Sequence, residues 1–163
     1  MTNLLNISEV YQIAMKIEEN GIKFYSSWSK KVKDKKLKNI FLALTEAEVE
    51  HKKIFDKMLK EIESYEPKEV YTEEYFQYLR AYADGLIFDM KEIEKKSKQI
   101  KSVQKALDFA IGREKDSILY YQEVKNILPS HQHKELEKII NEERKHFLDL
   151  THIKNSLSKS KNK

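Results

Sequence analysis

The chain has 163 residues, 40% hydrophobic and 36% charged, which fits one domain whose elements each carry a buried and a solvated face. Gly occurs 3 times and Pro twice, too few turn formers for a hairpin-rich sandwich or barrel, and the absence of Cys excludes disulfides, thiolate metal sites and Cys nucleophiles. The formal charge of +4 is concentrated at one end. Of 31 basic residues, Lys154, Lys159, Lys161 and Lys163 lie in an acid-free final stretch, and the other 27 equal the 27 acids. With only Arg80, Arg113 and Arg144 as arginines, no nucleic-acid binding is expected. No stretch approaches the ~18 apolar residues of a membrane span. Met1 to Glu19 lacks a basic segment followed by an apolar block, so the expectation is a cytoplasmic protein without an export signal.

Four segments place apolar residues at alternating steps of three and four, the pattern of bundle-forming helices. The first runs from about Ser8, a candidate N-cap, to Lys33, on the line Tyr11, Ala14, Glu18, Gly21, Tyr25, Trp28, Val32. The second follows Asp34, another candidate cap, on Leu37, Phe41, Leu44, Glu48, His51, Phe55, Met58, Ile62. A crossover from Glu63 to Lys101 holds a short helical pattern, Tyr71, Tyr75, Tyr78 or Leu79, and Tyr82, capped by Thr72 and closed by Gly85. The third long helix starts near Ser102, on Val103, Leu107, Ala110, Glu114, Ser117, Tyr121, Val124, Leu128. Pro129 and Ser130 stop it and cap the fourth, on Leu136, Ile139, Glu143, His146, Leu150, Ile153, Leu157. At ~25 residues each helix is roughly 37 Å long. Short joints make two antiparallel hairpins, and the long crossover returns the chain between them. The fold class is all-α, a four-helix bundle over residues 1–157 with a Lys-rich disordered tail at 158–163.

The halves repeat. Ala14, Glu18, Ile22 and Tyr25 align with Ala110, Glu114, Ile118 and Tyr121 at an offset of 96. Glu48, His51, Phe55 and Met58 align with Glu143, His146, Leu150 and Ile153 at an offset of 95. Such repetition implies an approximate two-fold axis, with anything on the axis built from both halves.

Charged residues interrupt the apolar lines at six places: Glu18, Glu48, His51, Glu114, Glu143 and His146. The Glu and His of each Glu-x-x-His pair leave one helix face together, and all sit near mid-helix. Buried without counter-charge, this set would cost many kcal/mol, whereas two divalent cations would neutralise four carboxylates. In a chain with 20 Glu, one Glu-x-x-His is weak. Two copies matched to the repeat, each with its own upstream Glu, point to a dinuclear metal site. Glu48 and Glu143 are expected to bridge both ions, Glu18 and Glu114 to be terminal, and His51 and His146 to ligate one ion each. Oxygen-rich ligation with two imidazoles suits iron or manganese better than a thiolate-seeking metal, and zinc is a further alternative. His131, His133 and His152 fall off these lines and read as solvated or capping residues. Tyr25 and Tyr121, two turns beyond Glu18 and Glu114, are candidates to hydrogen-bond the ligands, or else core aromatics. Trp28 and the crossover tyrosines read as packing or oligomer-interface residues.

The spacing resembles the ferritin-like di-iron carboxylate proteins, and the Glu18–Tyr25 and Glu114–Tyr121 runs, each followed by Glu-x-x-His, resemble the rubrerythrin branch. The resemblance covers Ser8 to Ile153 and fills all six ligand positions. It implies a carboxylate-bridged pair of irons that reduces hydrogen peroxide or reacts with dioxygen, in defence against oxidative stress. Two departures stand out. Members of the branch typically carry a Cys-ligated rubredoxin-like domain as electron source; a chain without Cys needs a separate electron-donor protein or small molecule. They also carry an extra Glu one turn after the third-helix ligand, where this chain has Ser117. A homodimer is expected. The rival functions are a ferroxidase or iron-storage protein, an oxidase of an organic substrate, and a bundle with a structural metal pair.

Overall fold

The computed structural model describes residues 7–62, 72–86 and 90–160. Among these residues there are six α-helices, one 3-10 turn and no strand. The helices are α1 (Ile7–Lys31), α2 (Lys35–Lys60), α3 (Glu73–Leu86), α4 (Met90–Gln99), α5 (Val103–Lys125) and α6 (His133–Ser160). α1 packs along α2 and α5 along α6, giving the two expected hairpins, while α3 lies on α5 and α4 on α1.

Local chemistry fixes most boundaries. Asp34 caps α2, its carboxylate accepting from Leu37 N at 2.7 Å, and Ser102 caps α5 by accepting from Lys105 N at 3.2 Å. Each such cap is worth about 1 kcal/mol against Ala. Thr72 Oγ1 accepts from Tyr75 N at 3.3 Å, as a cap for α3 should.

Several boundaries differ from the sequence reading. α1 begins at Ile7, so Ser8 lies in its first turn rather than capping it. Gly85 does not close α3, which continues through it to Leu86. Pro129 and Ser130 do not lead directly into the last helix. A 3-10 turn, Ser130–Gln132, intervenes, and its buried Gln132 donates to Met58 O at 3.0 Å and accepts from the Tyr11 hydroxyl. The crossover holds two helices, not one. α4 went unforeseen because Ile93 and Ser97 are its buried residues, too few apolar side chains to make a periodic line. It is tied to α1 by Lys31 Nζ, 2.8 Å from Ser97 O, and by Ser27 Oγ, 3.0 Å from Ser97 Oγ. α6 runs to Ser160, beyond the expected tail boundary at Leu157; Tyr71, Lys161 and Lys163 lie outside the described residues.

The core is two apolar clusters stacked along the bundle. One gathers Val10, Tyr11, Ile17, Phe55, Met58, Leu79, Tyr120, Leu136 and Ile140; the other Phe24, Trp28, Leu37, Phe41, Leu107 and Leu150. Trp28 therefore packs inside the chain, against Phe24 and Phe41, with Lys31 Nζ 5.0 Å from its ring centre. Between the clusters lies a polar layer at mid-helix.

Candidate metal centre

That polar layer contains all six residues singled out by the sequence. α1 supplies Glu18, α2 supplies Glu48 and His51, α5 supplies Glu114, and α6 supplies Glu143 and His146. They form two overlapping sets: Glu18, Glu48, His51 and Glu143, and Glu48, Glu114, Glu143 and His146. Within each set one donor atom per residue lies within 4.8 Å of the others. Glu48 and Glu143 belong to both sets. His51 Nδ1 is 3.7 Å from Glu18 Oε2, 3.8 Å from Glu48 Oε2 and 3.1 Å from Glu143 Oε1. His146 Nδ1 is 3.0 Å from Glu143 Oε2 and 3.8 Å from Glu114 Oε2, and the two imidazole centres are 6.0 Å apart.

The donor set suits divalent cations, and two atoms show it. Glu18 Oε2 and His51 Nδ1 are buried with no hydrogen-bond partner, because the 3.1 Å approach of His51 to Glu143 lacks the alignment of a hydrogen bond. Orphaned buried polar atoms are rare and costly. Both of these aim lone-pair positions into the space shared by the first set, which a cation would satisfy.

Electrostatics agrees. Burial, reinforced by the charges of Glu18 and Glu143, pushes the Glu48 carboxyl well above the usual range. Burial and the neighbouring Glu143 raise Glu114 to about 8. Burial also opposes ionisation of Glu143, but the hydrogen bond with His146 and the close approach of the His51 imidazole outweigh it and hold that carboxyl below its ordinary value. For His146, burial would lower the value, yet Glu114 and Glu143 together raise it to about 9. Glu48 and Glu114 thus resist ionising in this buried layer, which holds protons that cations would displace.

The supporting residues cross between the halves. Tyr25 on α1 donates its hydroxyl to Glu114 Oε1 on α5, and Tyr121 on α5 donates to Glu18 Oε1 on α1. Each phenol thus holds the carboxylate of the opposite hairpin rather than the one two turns before it. Burial, then Glu114 for Tyr25 and Glu18 for Tyr121, pushes both hydroxyls well above their ordinary values, so both remain donors.

Three contributors escaped the sequence reading. Glu142 Oε2 accepts from His51 Nε2 at 2.8 Å, which points Nδ1 inward; such an outer carboxylate orients a ligating imidazole and raises its basicity. Its counterpart by the repeat is Ala47, so only one half has this feature. Gly21 was on the inward line, but its purpose is spatial: Glu48 occupies the place of its missing side chain. Arg113, buried, donates to Leu86 O at 2.6 Å and Ile17 O at 3.0 Å, joining the end of α3 to α1 beside the site. Ser117, the counterpart of Gly21, is buried at the same level. His133 Nε2 lies 2.9 Å from Leu128 O, a local contact at the helix start, and His152 lines a surface groove.

That groove runs between α2 and α6. It includes a cavity of about 590 Å³ lined by Ile40, Leu44, Leu150 and Ile153 together with His146 and Glu142. His51 is sealed from solvent, whereas His146 is partly open to this cavity.

A family model described as Rubrerythrin matches residues 9–154. The chain belongs to the rubrerythrin family. Its fold is similar to the crystal structure of a protein from Thermotoga maritima described as ferritin-like diiron-carboxylate, with 27% identity, a TM-score of 0.68, and coverage of 95% of this chain and 98% of that one. No curated protein matches the chain. Like its family, the chain is an all-α bundle with a buried carboxylate–imidazole cluster fit for metal. Among the described residues no helix is long and apolar enough to cross a membrane.

Proposed function

We propose that the chain is a di-iron oxidoreductase that reduces hydrogen peroxide with electrons from a separate donor. The observation that carries this reading is the pair of overlapping ligand sets sharing Glu48 and Glu143. In it, Glu18, Glu48, His51 and Glu143 hold one iron and Glu48, Glu114, Glu143 and His146 the other. Iron bound there supplies the two electrons that one peroxide takes to become two waters. The chain's own residues do the rest. The shared carboxylates neutralise and space the cations, the tyrosines fix Glu18 and Glu114, and the apolar clusters above and below exclude bulk water. The α2–α6 cavity, which His146 lines, is large enough for a molecule of peroxide's size and supports this reading. With zero Cys, the chain has no thiolate-bound centre to refill the site.

Reduced, iron-loaded protein mixed anaerobically with peroxide in a stopped-flow spectrometer tests the reading. The expected result is fast consumption of about one equivalent, then a stall relieved by an added electron-transfer protein, because two irons hold two electrons. Indifference to peroxide, with rapid reaction with dioxygen and deposition of excess iron, would replace this reading by a ferroxidase.

A further inference from the structure

The repeat breaks at three places around the centre, and all three set the His51 half apart from the His146 half. Glu142, which accepts from His51 Nε2 at 2.8 Å, has Ala47 as its counterpart. Asp149 has Ile54, and His152 has Lys57. On α6, His146, Asp149 and His152 follow at steps of three, so they share one helix face and line the same α2–α6 cavity. On α2 the matching face reads His51, Ile54, Lys57, and Ile54 packs against an apolar cluster instead.

Exposure follows the same division. The His51 side chain is 1% exposed, with Nε2 held by Glu142 and Nδ1 3.1 Å from Glu143 Oε1. The His146 side chain is 15% exposed. Its Nδ1 meets Glu143 Oε2 at 3.0 Å, while its Nε2 meets no partner among the described residues. A ligating imidazole gives up a cation when the ring swings away or when water takes its place. The clamped and sealed ring of His51 permits neither; that of His146 permits both. Beyond it, Asp149 and His152 are exposed and carry donor types that suit such cations. The facing wall, Ile40, Ala43 and Leu44 of α2, carries none. With Glu142 and Asp149 against Lys145, the charged lining is acidic on balance, which favours a cation.

We propose that the two metal positions hold their cations unequally: the position at His51 retains its cation, while the position at His146 exchanges its own with solution through the α2–α6 groove, past Asp149 and His152. The inference rests on the two ligand sets of the reading above and not on the choice of oxidant. The chain with one metal is then a state of the protein in its own right. Two-electron chemistry needs both positions filled, so loading through the groove sets how much of the protein is competent for it.

The test is a chelator chase. Protein loaded anaerobically with two ferrous ions is mixed with excess ferrozine, whose coloured complex counts the iron released. One equivalent should leave about tenfold faster than the other, or more. Glu142→Ala should hasten the slow equivalent by about 10–100-fold and leave the fast one alone. Ala47→Glu, which places a carboxylate at the matching point of the other half, should slow the fast one. Ala43→Trp, at an exposed position on the cavity wall, should also slow the fast equivalent without changing the metal content, because it fills the route. Should that variant fail to fold, Asp149→Asn combined with His152→Gln tests the route by slower uptake of ferrous ion to the same final content. Release of both ions from wild type at one rate overturns the inference. So does a fast equivalent, or an uptake, that folded groove variants leave untouched, and in these cases the two ligand sets stand. If the chain does not bind two ferrous ions at all, the reading itself falls and the inference falls with it.

Discussion

A Cβ added to Gly21 would stand 3.1 Å from Glu48 Cδ and 3.2 Å from its Cγ. The glycine on α1 is therefore the space in which the shared carboxylate of α2 lies. Its backbone is ordinary helix, so close approach rather than conformational freedom accounts for it. In the other half Ser117 occupies the matching place, and the two faces of the centre are not equivalent.

Gly21→Ala separates packing from metal binding. Ala is favoured over Gly inside a helix by about 1 kcal/mol, while the crowding falls on one flexible carboxylate. After chelation the variant should melt at or above wild type, yet it should bind metal more weakly. Calorimetric melts with chelator, paired with metal titrations, check both halves of the statement.

Glu48 belongs to both ligand sets, so Glu48→Ala should lose at least one metal per chain by elemental analysis. Glu19 is its control. It pairs with Lys52 at 2.5 Å on the partly exposed side of α1, and Glu19→Ala should retain full metal content. Its stability should change by less than about 1 kcal/mol, as for exposed ion pairs generally.

Glu142→Ala should leave the fold intact, since the side chain is 58% exposed, but His51 loses the carboxylate that orients it. Loss of such a partner weakens a metal site by about 10–100-fold. Competition titrations should show one of two binding steps weakened by that order and the other unchanged. Equal weakening of both steps would mean that Glu142 acts on charge alone.

Chelated protein should become less stable as pH rises from about 4.5, where Glu114 ionises in the unfolded chain, to about 9. Glu114, raised to about 8 chiefly by burial, resists ionisation in the fold but ionises freely in the unfolded chain, so stability falls as pH climbs toward its folded value. His146, raised to about 9 against the effect of burial by Glu114 and Glu143, keeps a proton that the unfolded chain releases near 6.5, with the same sign. The two titrate as a coupled pair. Metal should reverse the slope and release protons on binding, which titration in buffers of different ionisation enthalpy measures.

Ser117→Glu introduces the acid that the resemblance to rubrerythrins implies for this position. Its expected effect is faster reaction with peroxide relative to dioxygen, read from the ratio of stopped-flow rates for the two oxidants.

The four long helices and the six polar interruptions were legible because each lies on a 3.6-residue line, and a charge on such a line is conspicuous. The capping role of Asp34 and the start of the third long helix near Ser102 were equally plain. Glu142 was not, because beside Glu143 in an acid-rich helix it reads as a solvated residue until His51 is seen to reach it. The choice between Tyr78 and Leu79 was open in the pattern; the structure buries Leu79 and exposes Tyr78. The partners of Tyr25 and Tyr121 were hidden for a different reason. A face can be read along one helix, but which carboxylate stands opposite depends on how two distant helices align.

That alignment has a mechanical meaning. Apolar contacts tolerate sliding, since one leucine serves nearly as well as the next against a smooth helix face. The two tyrosine–carboxylate bonds do not. Because they run in opposite senses between α1 and α5, a slip of one helical turn, about 5.4 Å, would break both together and strand four buried polar groups. The hairpins are therefore keyed to one register, and the pair of phenols acts as the lock of the bundle as well as the support of its centre.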